Sequence, residues 1–408
     1  MYIESHGLDA VPPGEQSSTG TDLFMIWAGA SFCFPAFIIG ALLVPAFSWI
    51  EAVFIILAGN FIIGLLIVWG GYFGIRTGLP AVVLGRQVFG DKAGQWVPTL
   101  GILLSMLGWS AVITAMTGTA LDAMIENFTG FSSPLLFIVL VGVLNASTAV
   151  TGYRNIRRLS WMTVPAMVIV CILIGVKIMT MPDLDSSIHY SPDRVMSYGA
   201  GFNIIIGGSI AGALVASDFS RYTSSIRQNW WGALSGTFLV SFLLGVLGMM
   251  AQAVTGQWNP LLMVQETGMG TILFIFMLIA NWTSSDNLLY SSGLALSNLL
   301  PGLGRTRNTL ICAALAAIMA VAGITSYLPG WLELLSILLG PLLGVILSEF
   351  FLVKVKTACQ PLNIRALIAL VIGVGAAVVT PASYIPSLSG LAVSALVYFT
   401  LFQFPSRN

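Results

Sequence analysis

About twelve long apolar stretches set the first constraint on this 408-residue chain. A bilayer core of about 30 Å needs about 20 apolar residues per helix. Such runs fall near 23–47, 50–75, 95–120, 134–151, 159–181, 196–217, 229–255, 269–295, 309–326, 329–353, 363–382 and 385–403. They lack the alternation of a membrane β-barrel, so they read as helices, which satisfy their own backbone in lipid. Composition agrees, with 57% hydrophobic and 8% charged residues against about 25% charged in ordinary soluble domains. A soluble enzyme, a nucleic-acid binder and a disordered chain are excluded. Equal totals of 16 Lys+Arg and 16 Asp+Glu point to no anionic partner. The expected architecture is an all-α integral membrane protein whose surroundings are the lipid bilayer.

Orientation follows from Lys and Arg in the loops. With a cytoplasmic N-terminus, that side carries Arg76, Arg86, Lys92, Arg154, Arg157, Arg158, Arg221, Arg227, Arg305, Arg307, Lys354, Lys356, Arg365 and Arg407, fourteen of the sixteen. Lys177 and Arg194 fall outside. The alternation supports twelve spans with both termini cytoplasmic, in an inner (plasma) membrane. The first 22 residues are polar, acidic and without Lys or Arg, so no signal peptide is expected. Cys33, Cys171, Cys312 and Cys359 stand singly and read as small buried hydrophobes. His6 and His189 lie outside the apolar segments, and no metal cluster is expected. The longest outer connection, about 182–195, holds Asp183, Asp185, His189, Asp193 and Arg194 and reads as a solvated loop or lid.

Three segments depart from plain spans. In segment 1, Pro35 stands mid-span after Ser31, with Gly29 allowing close approach; a simple kink and a broken helix both remain open. Segment 6 centres on Gly207-Gly208-Ser209, which either unwinds or packs closely on a neighbour. Two interrupted segments at corresponding places in two halves are the sequence pointer to a transporter site. They would make spans 1–5 and 6–10 an inverted repeat with two helices appended. Segment 8 runs from an apolar stretch into Ala280-Asn281-Trp282-Thr283-Ser284-Ser285-Asp286-Asn287. Thr283 and Ser284 share a helix face with Ala280, being three and four residues on. Two hydroxyls beside carbonyls freed by a broken helix suit a hard cation such as Na⁺.

Asp218, near the end of segment 6, reads as an ion-pair partner of Arg221 or a gating group, and Glu349 as interfacial. Asp286 lies deeper and reads as an ordering acceptor or a proton carrier. Trp109, mid-span in segment 3, packs in the core or stacks on a flat ligand. Asn145 and the Trp230-Trp231 pair read as helix packing and interfacial anchors.

These residues resemble the cytosine permease and purine–cytosine permease branch of the nucleobase:cation symporter-1 family. The resemblance rests on Asn281–Asn287 with Tyr290-Ser-Ser-Gly293, on Gly74-Ile-Arg-Thr-Gly78 running to Arg86-Gln-Val-Phe-Gly90, on Gly108-Trp109, on Ser217–Tyr222 and on His6–Pro13. It implies a LeuT-type fold of 5+5 inverted repeats plus two helices, with helices 1 and 6 broken. The implied organisation is a tail over 1–22, repeats over 23–181 and 196–353, two helices over 363–403 and a tail over 404–408. It implies import of a flat heterocycle by alternating access, driven by Na⁺ or H⁺, with no cofactor and one chain as the functional unit. The implied cation ligands are the carbonyls of Gly29, Phe32 and Ala280 and the hydroxyls of Thr283 and Ser284. The substrate would sit between helices 1, 3, 6, 8 and 10, stacked on Trp109 and flanked by Cys33, Phe34, Met106, Gly208, Ser209, Ala211 and Ser285. Asp286 and Asp218 are the candidates for coupling or gating.

The departures concern the pocket. The family's glutamine before Gly-Trp is Met106 here, its helix 6 aromatic and serine fall at Ser209 and Ala211, and its helix 8 amides fall at Ala280 and Ser285. A site stripped of its hydrogen-bonding groups loses about 10⁴ or more of discrimination. The cation machinery is therefore expected to be retained and the substrate pocket rewritten. Nucleobases, hydantoin- or allantoin-like rings and vitamin-precursor pyrimidines stay open, as does an amino acid carried on the same fold.

Overall fold

The computed structural model describes residues 6–181, 189–256, 270–353 and 361–403. Asp183, Asp185, Lys354, Lys356, Cys359 and Arg407, which entered the reading of loops, charges and thiols, lie outside the described residues. The helices are α1 (Gly20–Ser31), α2 (Phe34–Ala41), α3 (Trp49–Thr77), α4 (Ala81–Phe89), α5 (Asp91–Ile102), α6 (Gly108–Thr129), α7 (Pro134–Ala149), α8 (Tyr153–Met179), α9 (Tyr198–Ser220), α10 (Ile226–Thr255), α11 (Gly270–Leu299), α12 (Gly304–Val321), α13 (Leu328–Ser348), α14 (Ile364–Val379) and α15 (Pro386–Gln403). All twelve expected segments are helical, with α4 an additional short helix in a connection. Among the described residues, seven helical runs are long and apolar enough to cross a membrane, and the bent α1–α2 pair makes an eighth. Among the others, α7 and α14 have only 16 residues, roughly 24 Å at 1.5 Å per residue.

Segment 1 is a broken span. α1 opens with a capping box in which the Asp22 N–H donates to Thr19 Oγ1 at 3.2 Å and the Thr19 N–H to Asp22 Oδ2 at 2.9 Å. It ends at Ser31, and α2 leaves at 61°. Pro35 occupies the first turn of α2, where its missing N–H costs little. It therefore starts a second half-helix instead of kinking a continuous one.

Segment 6 corrects the expectation of a second break. α9 runs unbroken through Gly207 and Gly208. A Cβ on Gly207 would stand 2.8 Å from Ser336 Cβ. The glycine admits α13 at close range, so packing supplies the reason for the small residues and the helix keeps its backbone bonds.

The helix pairings exchange between two sets of five spans. α1 and α2 pack on α10, and correspondingly α9 packs on α3. The same relation links α6–α12 with α11–α7, and α1–α8 with α9–α13. α14 and α15 pack on each other and on α13, outside this relation. The α2–α10 contact is backbone to backbone: a Cβ on Gly248 would lie 1.9 Å from the Phe37 carbonyl oxygen.

Loops bearing arginines meet at one end of the bundle. There the Val11 N–H donates to Gly78 O, the Ser18 N–H to Tyr222 O, Arg86 to Asn298 O, Arg305 to Val150 O and the Asn363 N–H to Phe89 O. At the opposite end Arg194 pairs with Glu51 at 2.8 Å and the Ser197 hydroxyl donates to Ala382 O. The end of the 182–195 connection is thus strapped onto the α2–α3 turn, where the Asp193 N–H also reaches Pro45 O. Glu349 is a correction: it is buried and accepts the Tyr398 hydroxyl at 2.7 Å, so it faces a neighbouring helix instead of an interface.

Candidate functional site

The end of α1 faces the polar stretch of α11. The Phe32 N–H closes the α1 ladder on Ala28 O, and the Cys33 N–H turns onto Ser31 O at 2.9 Å. The last carbonyls of α1 lie at the negative end of its dipole. Opposite, Ser284 Oγ donates to Ala30 O at 2.9 Å. Thr283 Oγ1 donates to Ile279 O at 2.9 Å and stands 3.1 Å from Thr163 Oγ1 on α8. A Cβ on Gly29 would meet Thr283 Cγ2 at 2.8 Å and Ser160 Oγ at 3.0 Å. Phe32 and Ala280 share a buried cluster with Val164 and Met167 of α8. The five expected cation residues, Gly29, Phe32, Ala280, Thr283 and Ser284, therefore come together where α1, α8 and α11 meet. Half-helix C-termini and carbonyls of this kind are suited to Na⁺. Ser160, whose hydroxyl is buried without a partner, was not legible as part of this junction.

Beside the junction lies a cavity of about 140 Å³. Of the eight expected substrate residues, Cys33, Met106, Trp109, Gly208, Ser209 and Ala211 line it. Five residues of π-helix, Leu103–Leu107, directly precede Gly108-Trp109; such widenings frequently mark functional sites. The Trp109 indole N–H donates to Gly208 O at 3.2 Å, and Trp331 of α13 meets its ring edge-on at 4.9 Å. Ser284 lines the cavity as well as bonding the end of α1, so one hydroxyl adjoins both sites.

Two expectations are corrected. The Phe34 side chain packs on Ile38 and Ala120, while its N–H donates to Asn281 Oδ1 at 3.3 Å, so it turns from the cavity. Ser285 is buried against α6, 3.2 Å from Ser110 Oγ. On α11 the cavity face is Ser284, Asn287 and Leu288, and Ser285 is rotated off it by helical geometry. The walls also differ from the implied set. α3 contributes Ile63 and Ile67, α10 contributes Thr237 and Ser241, and no α13 residue is among the lining. Trp27, Thr237 and Asn287 were missed as site residues; only Asn287 lay within a motif singled out in the sequence.

The two acids face elsewhere. Asp286 is fully buried and accepts from Thr148 Oγ1 of α7 at 2.5 Å, with its other oxygen unpartnered. Trp282 donates to the same Thr148 hydroxyl at 2.9 Å. Asp218 Oδ1 accepts the Ala81 N–H at 2.8 Å, holding the start of α4 as a carboxylate at a helix N-terminus does.

Comparison with known proteins places this geometry. A sequence model for permeases of cytosine/purines, uracil, thiamine and allantoin matches residues 10–397. The chain belongs to this family. The cytosine permease of Escherichia coli (strain K12) is 25% identical over 363 residues, 87% of this chain and 84% of that one. The hydantoin permease of Microbacterium maritypicum is 28% identical over 381 residues, 83% of this chain and 74% of that one. Among solved structures, Mhp1, a nucleobase-cation-symport-1 family transporter in a closed conformation with bromovinylhydantoin bound, superposes with a TM-score of 0.87. It shares 21% identity, over 98% of this chain and 94% of that one. A Na⁺-coupled sialic acid symporter superposes with a TM-score of 0.70 at 14% identity, over 96% of this chain and 91% of that one. The chain is thus a multi-pass membrane permease of the nucleobase-cation-symport-1 family, with the fold these transporters share.

Proposed function

We propose that the protein is a secondary active symporter that imports a small, flat, neutral heterocycle of the nucleobase or hydantoin class together with Na⁺, by alternating access. The observation that carries the reading is Ser284, which bonds the broken end of α1 and also lines the cavity. Occupancy of one site then bears on the shape of the other. The Gly29, Phe32 and Ala280 carbonyls and the Thr283 and Ser284 hydroxyls hold the cation. Trp109, Met106, Cys33, Gly208, Ser209 and Ala211 hold the ring. A cavity of about 140 Å³ matches the scale at which an engineered ~150 Å³ cavity takes a benzene ring. No lining side chain is charged, which suits a neutral ring better than an amino-acid zwitterion. The relatives named as cytosine and hydantoin permeases support this substrate class. The setting is the inner (plasma) membrane, with the arginine-bearing end and both termini cytoplasmic, and one chain as the working unit.

A second reading has its own observation. Asp286 carries an unpartnered buried carboxyl oxygen, and an acid at membrane depth is a natural proton carrier. Proton coupling would replace Na⁺ without altering the cavity.

The test is a thermal-shift screen of purified protein against nucleobases, hydantoins, vitamin precursors and amino acids, in Na⁺ or in choline. A ligand bound only by the folded state raises apparent stability. A neutral ring that stabilises only in Na⁺ is the expected result. A ring indifferent to Na⁺ transfers the coupling to Asp286, and an amino-acid hit overturns the substrate class.

A further inference from the structure

Three residues lining the cavity carry polar atoms that find no partner among the described residues: Trp27 Nε1, Thr237 Oγ1 and Asn287 Oδ1. They are 4%, 5% and 4% exposed. Each such group is costly when it stays unsatisfied, and three around one cavity of ligand size point to a molecule that satisfies them. Their chemistry is not uniform. An indole nitrogen only donates, an amide oxygen only accepts, and a hydroxyl does both.

The groups are also separated in space. Trp27 on α1 and Thr237 on α10 are neighbours, because a Cβ on Gly236 would lie 3.1 Å from Trp27 Cβ. α1 packs against α10 and also against α11, which carries Asn287. The donor pair and the acceptor thus stand on different walls of the cavity. The Asn287 amide is fixed in sense: its Nδ2 donates to Thr283 O at 3.0 Å, which leaves Oδ1 as the free face. Trp27 is held by an edge-on contact with Phe219 at 5.6 Å.

We propose that Trp27 and Thr237 form a carbonyl-recognition subsite on the α1–α10 wall, specific for a ring bearing a C=O there and an N–H towards Asn287. This deepens the reading of the cavity as a heterocycle site and rests on it. Ring oxygen is bound by Trp27 Nε1–H and Thr237 Oγ1–H, and ring N–H is bound by Asn287 Oδ1. The subsite continues along α10 to Ser241, four residues on, which also borders a side cavity of about 20 Å³ with Asn60 and Ser209. That space holds about one water molecule.

The test uses uracil, 2-thiouracil and 4-thiouracil, in which sulfur, a weaker acceptor, replaces one carbonyl oxygen while both ring N–H groups stay, with the purified full chain in Na⁺. Dissociation constants are measured for wild type, for Trp27→Phe, which keeps a smaller aromatic ring, and for Thr237→Val, which keeps the side-chain shape, with folding checked by the melting temperature without ligand. In wild type, sulfur at one particular carbonyl position should weaken binding several-fold or more, and sulfur at the other much less. In both variants that difference should shrink, because the carbonyl then keeps only one of its two donors. Equal weakening of all three rings by the substitutions would mark a packing role and overturn the subsite, as would no weakening. Failure of wild type to bind any of the three would overturn the subsite, since a ring carrying the required carbonyl and N–H then goes unrecognised, while the heterocycle reading stands or falls by the thermal-shift screen. If one variant fails to fold, the other carries the comparison.

Discussion

Thr283→Val tests the cation site with the least structural side effect. Valine replaces the hydroxyl by a methyl of similar size, so a fully buried position gains no cavity. The helix bond to Ile279 O is an extra one, and Thr163 Oγ1, 3.1 Å away, loses one neighbour. The stability cost is therefore about 1 kcal/mol. Cation affinity should suffer more, since one of five oxygens is removed. An interaction with a charged group is worth about 1.5–3 kcal/mol, which corresponds to roughly a 10- to 150-fold rise in the Na⁺ concentration for half-maximal effect. The assay is a Na⁺ titration of ligand-induced thermal stabilisation, with choline holding ionic strength constant. Thr283→Ser, which restores the oxygen, should return the titration towards wild type. An unchanged Na⁺ midpoint in Thr283→Val would refute the placement of the cation at the α1–α11 junction.

Other expectations follow from single positions. Trp109→Phe gives up the 3.2 Å bond to Gly208 O but keeps an aromatic face, so ligand affinity should fall about tenfold or less; Trp109→Ala removes the face and should abolish binding in an equilibrium assay. Cys33, which lines the cavity while Cys171 and Cys312 are buried in the core, should be the thiol whose alkylation is slowed by a bound ring. Equal labelling rates with and without ligand, read by mass spectrometry, would place the ligand elsewhere. Gly248→Ala sets a methyl 1.9 Å from a backbone oxygen of α2, and overpacking of that kind costs about 1–3 kcal/mol. The melting temperature should drop even without ligand.

Much of the proposed cation site was legible because its signals are local. Thr283 and Ser284 follow Ala280 by three and four residues, so helical periodicity alone puts them on one face. Pro35 and Gly29 mark a break within a span that is otherwise apolar. The walls of the cavity were not legible in the same way. Trp27, Ile63, Ile67, Thr237 and Ser241 lie in ordinary apolar runs, and nothing in their spacing says that they converge. Ser285 and Asn287 are both polar residues of one short stretch, and only the rotation of α11 decides that Asn287 meets the cavity while Ser285 meets Ser110.

The sequence by itself determined the membrane setting, the twelve helical segments and the gathering of arginine loops at one end. Each of these follows from solvation of the chain in lipid or from local backbone chemistry, which composition and spacing encode directly. Tertiary structure alone decided that α9 is continuous, because Gly207 is filled by the approach of α13. It also decided that α3 and α10 line the cavity in place of α13, and that Asp286 faces α7. These outcomes depend on which faces of separate helices meet. A glycine or a buried hydroxyl serves close packing and ligand binding equally well until its neighbours are in place.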